Sequence, residues 1–226
     1  MILAHRGASR AAPENTVESF RQAHRVGADG VELDVRRTAD GVLVVHHDAD
    51  LPGRGPIVSL RLSELPPSVP QLDAALDACG DLVVNIEVKA LPGEADYDPT
   101  YGLGRLVARF VADRGIAGRV VVSSFDLSAL DAALAVEPAL VTGWLTPSWY
   151  DQSNALETVV ARGHRALHPH HEAVTPALVT AAHAAGVDVT TWTVDDPERI
   201  RLLVAAGVDA IITNVPDVAR AALSRM

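Results

Sequence analysis

A single cysteine, Cys79, in 226 residues rules out a disulfide within the chain and a metal site built on several thiolates. Aromatic residues are also scarce, at 4%, so the core must be packed by the Ala, Val and Leu that dominate a hydrophobic fraction of 48%. Basic charge is in short supply: 19 Lys and Arg against 29 Asp and Glu leave a formal net charge of -10. This balance argues against nonspecific nucleic-acid binding, which draws its affinity from basic contacts to phosphates. It would also repel a small anionic substrate unless positive charge is gathered locally. No apolar run approaches the length of a membrane span. The apolar stretch before His5, Met1 to Ala4, is too short for the core of a signal peptide, so a cytoplasmic location is expected. The length suits one α/β barrel domain over residues 1–226.

What the chain does contain is an alternation of apolar strand-like runs with Ala-rich amphipathic segments. The pattern predicts strands at Ile2 to Arg6, Gly30 to Arg36, Val42 to His47, Leu82 to Lys89 and Val120 to Ser124, then at Leu140 to Leu145, Ala166 to His168, Val187 to Thr193 and Ala210 to Thr213. Capping residues or first-turn prolines predict helices over Glu14 to Val26, Ser128 to Ala135, Pro176 to Ala185 and Pro197 to Ala206. Ala185 to Val189 and Ala206 to Ala210 repeat one phrase, a glycine helix exit into a strand. Eight such βα units, with Val42 to His47 as an extra strand, point to a (β/α)₈ TIM barrel. The first strand is followed by no Gly-x-Gly-x-x-Gly, the usual mark of a dinucleotide fold. Asp50 to Val69, rich in Pro and Gly, reads as a loop.

Ionisable residues recur inside or at the ends of these strands. In Gly30 to Val35, Val31, Leu33 and Val35 share one face while Glu32 and Asp34 share the other. Leu82 to Lys89 repeats the pattern, with Asn85, Glu87 and Lys89 opposite Val84, Ile86 and Val88. A lone strand carboxylate is ordinarily a salt bridge or part of a solvated barrel mouth. Three together in an apolar setting need positive charge, and a hard divalent cation takes oxygen ligands. His5, Asp34, His47 and Lys89 stand at C-terminal strand ends, where barrels place active sites.

With these residues in view, the chain resembles the glycerophosphodiester phosphodiesterase family. The resemblance is carried by His5-Arg6-Gly7, Pro13 to Thr16, Glu32-Leu33-Asp34, Val45 to Asp48, Asn85 to Lys89, Val122 to Phe125, Thr191 to Val194 and Gly207 to Thr213, in the family's order. It implies a barrel that hydrolyses small anionic phosphodiesters to an alcohol and glycerol 3-phosphate with a bound divalent cation, Ca²⁺ or Mg²⁺. Position by position, it implies that Glu32, Asp34 and Glu87 bind the metal, that His5 and His47 form an acid/base pair, and that Arg6 and Lys89 contact phosphate. His47 rather than His46 is chosen by the family's histidine-aspartate order. The chemistry wants the same parts: cationic charge to neutralise the phosphate and two groups that titrate near neutrality. Either water or the substrate's glycerol hydroxyl can serve as nucleophile.

The chain departs from the family pattern in places. The insertion common after the second βα unit is reduced or absent. Leu51-Pro52-Gly53-Arg54 replaces a Leu-Asp-Arg-Thr phrase, and Asp195 and Asn214 stand where asparagine and aspartate are frequent. A lysophospholipase D and a catalytically silent glycerophosphodiester binder are the alternative readings. Phe125 and Trp192 are expected to line the apolar side of a glycerol pocket, and Trp144 and Trp149 to cover it or merely pack. Cys79 reads as inert packing, and Pro13 to Thr16 as support for the site. His168, His170 and His171 read as surface or cleft-rim residues rather than a second metal site, for want of a carboxylate partner nearby.

Overall fold

The computed structural model describes residues 1–224. In chain order its elements begin with β1 (Ile2–His5), α1 (Val17–Arg25), β2 (Gly30–Arg37), β3 (Leu43–Val45), the short pair β4 (Asp50–Leu51) and β5 (Gly55–Pro56), α2 (Leu72–Cys79) and β6 (Val83–Val88). The chain then alternates through α3 (Gly102–Asp113), β7 (Val120–Ser124), α4 (Leu127–Leu134), β8 (Val141–Thr146), α5 (Gln152–Arg162) and β9 (Ala166–Pro169). It ends with α6 (Pro176–Ala184), β10 (Asp188–Thr191), α7 (Pro197–Ala205), β11 (Ala210–Thr213) and α8 (Pro216–Leu223).

β1, β2 and β6 to β11 run parallel, and β1 pairs with both β2 and β11, which closes a (β/α)₈ barrel. β3 lies antiparallel along the upper half of β2, with Val35 opposite Val45 and Arg37 opposite Leu43. This is the extra strand expected from the sequence, and its end delivers His46 and His47. The connection on to α2 holds only the β4–β5 hairpin and two 3₁₀ turns over a small cluster of Val44, Leu51, Ile57 and Val69.

Strand alternation divides the barrel into two apolar layers. Val31, Leu33 and Val35 of β2 and Val84, Ile86 and Val88 of β6 face outward into the main core beneath the helices. A much smaller interior cluster joins Leu3, Ala210 and Ile212 with Trp192. Because the outward faces of β2 and β6 hold their strands in place, the inward faces are free to carry charge. Glu32, Asp34 and Arg36 form one inward row, and Asn85 and Glu87, in register with Glu32 and Asp34, form the next.

α1 is shorter than its predicted span. Thr16 caps it by accepting from the Ser19 amide, and Pro13 to Asn15 remain outside as a turn. Asn15 takes a left-handed φ of 56°, which a helix cannot contain.

Candidate active site

The C-terminal ends of β1, β2, β6 and β3 meet at one mouth of the barrel. One carboxylate oxygen each from Glu32, Asp34 and Glu87 lies within 4.8 Å of the others, although Glu32 and Asp34 are almost wholly buried. Lys89 lies among them with Nζ 2.8 Å from Glu87 Oε1 and 3.5 Å from Asp34 Oδ1. Arg6 Nε pairs with Asp34 Oδ2 at 3.2 Å, and its Nη1 donates to Glu14 Oε1 at 2.8 Å.

The charges are unevenly satisfied. Burial opposes the Asp34 carboxylate, but Lys89, Arg6 and a hydrogen bond from Asn15 outweigh it and hold the group below its usual range. Burial, then Asp34 and Glu87, push Glu32 well above the carboxylate range, and burial also raises Glu87 against the pull of Lys89. Glu32 Oε2 accepts from the Arg6 amide at 3.0 Å, whereas its buried Oε1 has no hydrogen-bond partner. A frustrated carboxylate with a bare oxygen beside two others is what a hard divalent cation would relieve, so the all-oxygen donor set fits such a cation.

The loop after β1 is bent to make these contacts. Arg6 and Asn15 both sit at φ 56°, and the Asn15 amide donates to the Arg6 carbonyl at 2.9 Å. Asn15 Nδ2 donates to Asp34 Oδ2 at 2.8 Å and its Oδ1 accepts from the Asp34 amide. Gly7, at φ 80°, passes so close to α1 that a Cβ there would lie 2.4 Å from Ser19 Oγ. Left-handed backbone at non-glycine residues is costly and persists only where surrounding bonds enforce it.

The two histidines differ in what holds them. His5 Nδ1 donates to Asn214 Oδ1 at 2.7 Å, and Asn214 is in turn fixed by donating its amide groups to Asp195. Its Nε2, left to face the cleft, lies 3.8 Å from Glu32 Oε2. Burial holds the His5 imidazole below its ordinary pKa despite the Asn214 bond, which acts in the other direction. His47 Nδ1 donates to the exposed Asp48 carboxylate at 2.7 Å. His47 lines the cleft, whereas His46 turns its Nδ1 to the Asp48 carbonyl.

His5, Arg6, Glu32, His47, Glu87, Lys89, Phe125 and Trp192 all line one cavity of about 260 Å³, with Asp34 packed just behind them. Phe125 and Trp192 meet edge to face at 5.4 Å and form its apolar wall with Leu91, Leu145 and Ile212. Trp144 is buried and donates to the Phe125 carbonyl, while Trp149 is 82% exposed. Cys79 is buried with its thiol pushed up to about 12 by burial, as inert packing requires.

One placement differs from expectation. His168 is not on the rim: it lies fully inside the barrel over Gly143, and neither ring nitrogen has a protein partner. His170 and His171 do sit at the rim, with His170 edge-on to Trp192. Arg36, Glu94 and Asp96 carry no comparable signal in the sequence. Asn15 reads in the sequence only as part of a supporting turn.

Residues 5–218 match the glycerophosphoryl diester phosphodiesterase family. The chain belongs to that family. A glycerophosphodiester phosphodiesterase of Caldanaerobacter subterraneus subsp. tengcongensis is 31% identical over 242 residues, covering 96% of this chain and 95% of the relative. Among solved members, an Oleispira antarctica phosphodiesterase in complex with the product sn-glycerol-3-phosphate superposes with a TM-score of 0.84 at 26% identity, covering 99% of this chain and 96% of that one. The Thermotoga maritima glycerophosphodiester phosphodiesterase gives 0.78 at 28% identity, covering 96% and 95%. Within this family frame, the cluster of Glu32, Asp34 and Glu87 is the candidate metal site.

Proposed function

We propose that the protein hydrolyses glycerophosphodiesters to an alcohol and glycerol 3-phosphate with a divalent cation and a histidine acid/base pair. The observation that carries this reading is the convergence of His5, His47, Arg6, Lys89, Glu32 and Glu87 on one cavity, with Asp34 packed behind them. A cation held by Glu32, Asp34 and Glu87 would supply positive charge to the non-bridging oxygens of the phosphodiester. Arg6 and Lys89 add fixed charge on either side, which offsets the net negative charge of the chain where an anion must enter.

The ring partners support a division of roles between the histidines. With its Nδ1 proton given to a neutral amide, His5 presents a bare Nε2 and accepts the proton of the nucleophile, whether water or the substrate's glycerol hydroxyl. His47, whose ring is oriented by the Asp48 carboxylate, delivers a proton to the leaving alcohol as the P–O bond breaks. The cavity of about 260 Å³, lined in part by the charged cluster, suits a glycerophosphoryl group.

The test is release of glycerol 3-phosphate from glycerophosphocholine in the presence of Ca²⁺ or Mg²⁺. His47→Ala should reduce kcat by about 10²–10⁴-fold for alkyl leaving groups and much less for p-nitrophenol, which departs without protonation. Activity that survives exhaustive chelation would remove the cation from the reading. Tight binding without turnover under any divalent cation would leave a silent binder, and a preference for lysophospholipids would move the assignment to lysophospholipase D.

A further inference from the structure

Arg36 heads the fully buried side chains by size, and it continues the inward row of β2 one step beyond Asp34. Each of its N–H groups is used. Nε and Nη2 both donate to the main-chain carbonyl of His47, at 2.9 and 2.5 Å. Nη1 donates to Asp96 Oδ2 at 2.6 Å and to Glu94 Oε2 at 3.1 Å, and Nη2 reaches Glu94 Oε1 at 3.2 Å. A buried ion pair is a poor route to stability, because apolar packing of similar volume usually serves as well. Some other function is therefore the better explanation for the geometry.

His47 needs an anchor. It lies beyond Val45, the last residue of β3, so no ladder holds it; the last main-chain bond before it runs from the His46 amide to the Asp34 carbonyl. Among the described residues its ring hydrogen-bonds to Asp48 alone, which is exposed. Glu94 and Asp96 belong to the connection between β6 and α3, the same segment that brings Leu91 to the cavity wall.

We propose that Arg36 is a positioning residue: its guanidinium clamps the β6–α3 connection to the His47 carbonyl and so sets the His47 ring against the carboxylate cluster. The two donors converging on one carbonyl fix that carbonyl in the guanidinium plane, and the two carboxylates fix the plane. A lysine has the charge but not the fork. This role rests on the reading of His47 as an acid/base residue.

The experiment is a double-mutant cycle on glycerophosphocholine hydrolysis, combining Arg36→Lys with His47→Ala. Alone, Arg36→Lys should lower kcat by about 10²-fold, the scale of an ångström's misplacement, with KM little changed and with the same leaving-group dependence as His47→Ala. In the His47→Ala background it should cost nothing further. If the Arg36→Lys chain does not fold, Glu94→Gln carries the same cycle, with a smaller loss of kcat and the same non-additivity. Losses that multiply across the cycle, or an Arg36→Lys enzyme with unchanged kcat, overturn the proposal. A fully active His47→Ala enzyme overturns the reading of His47 and, with it, this role; losses that multiply while His47→Ala is crippled overturn the role of Arg36 alone.

Discussion

Asn15 carries no charge and does not line the cavity, yet it decides how Asp34 is presented. Its two bonds to Asp34, one to the side chain and one from the main chain, leave the carboxylate oriented toward Glu32 and Glu87. Residues that orient ligands matter nearly as much as the ligands themselves, so Asn15→Ala should weaken Ca²⁺ or Mg²⁺ binding about 10–100-fold. Calorimetric titration of the cation checks this, and unchanged affinity would show that Lys89 and Arg6 suffice to hold Asp34. The carboxylates were legible in the sequence because like charges at a spacing of two interrupt an apolar strand, which physics does not permit without a partner. Asn15 and Arg36 were not legible in the same way. Asparagine in a turn and arginine at a strand end are ordinary residue types, and their roles arise only from partners brought in by folding, Asp34 for one and Glu94, Asp96 and the His47 carbonyl for the other.

At the scale of the elements, legibility followed the caps. The four helices delimited from sequence, α1, α4, α6 and α7, are each started by a Thr or Asp side chain that accepts from a first-turn amide. α2, α3 and α8 have no such bond, and their starts left little signal. α5 is the exception, since Asp151 caps it and its start still went undelimited. The strands were legible because their apolar period survives even where one face is charged. α3 begins Gly102-Leu103-Gly104, a poor helix start by propensity, and the reason is contact rather than conformation. A Cβ on Gly104 would lie 2.3 Å from the Ala129 carbonyl of α4. Gly104→Ala therefore forces two packed helices apart and should destabilise the fold by about 1–3 kcal/mol, despite alanine's better helix propensity. Urea unfolding measures it; a stabilised variant would mean that α3 and α4 can separate freely.

For the whole molecule, the barrel interior holds a proton-linked liability. Burial pushes the folded His168 down to about 3 from an ordinary 6.5. Between those values the unfolded chain binds the additional proton, so stability contributed by this residue is intact above 6.5 and is lost as pH falls toward 3. His168→Leu should flatten the acid limb of the stability curve by up to about 1.4 kcal/mol per pH unit, read from urea midpoints between roughly pH 6 and 4. An identical slope in the variant would show that His168 is not what couples the barrel to acid.

The closing pair of strands also ties the cleft to both ends of the chain. β1 is gripped from one side by β2 and from the other by β11, and His5 gives its proton to Asn214, 209 positions away. The carboxylate-bearing strands β2 and β6 both lie in the first half of the chain. Without β11 the His5 ring would lack its acceptor and β1 would keep one bare edge. Contacts of such separation are among the slow ones to form in a chain of this length. The two ends of the chain therefore complete the cleft jointly: losing the β1–β11 seam would take His5 away from both Asn214 and the carboxylates.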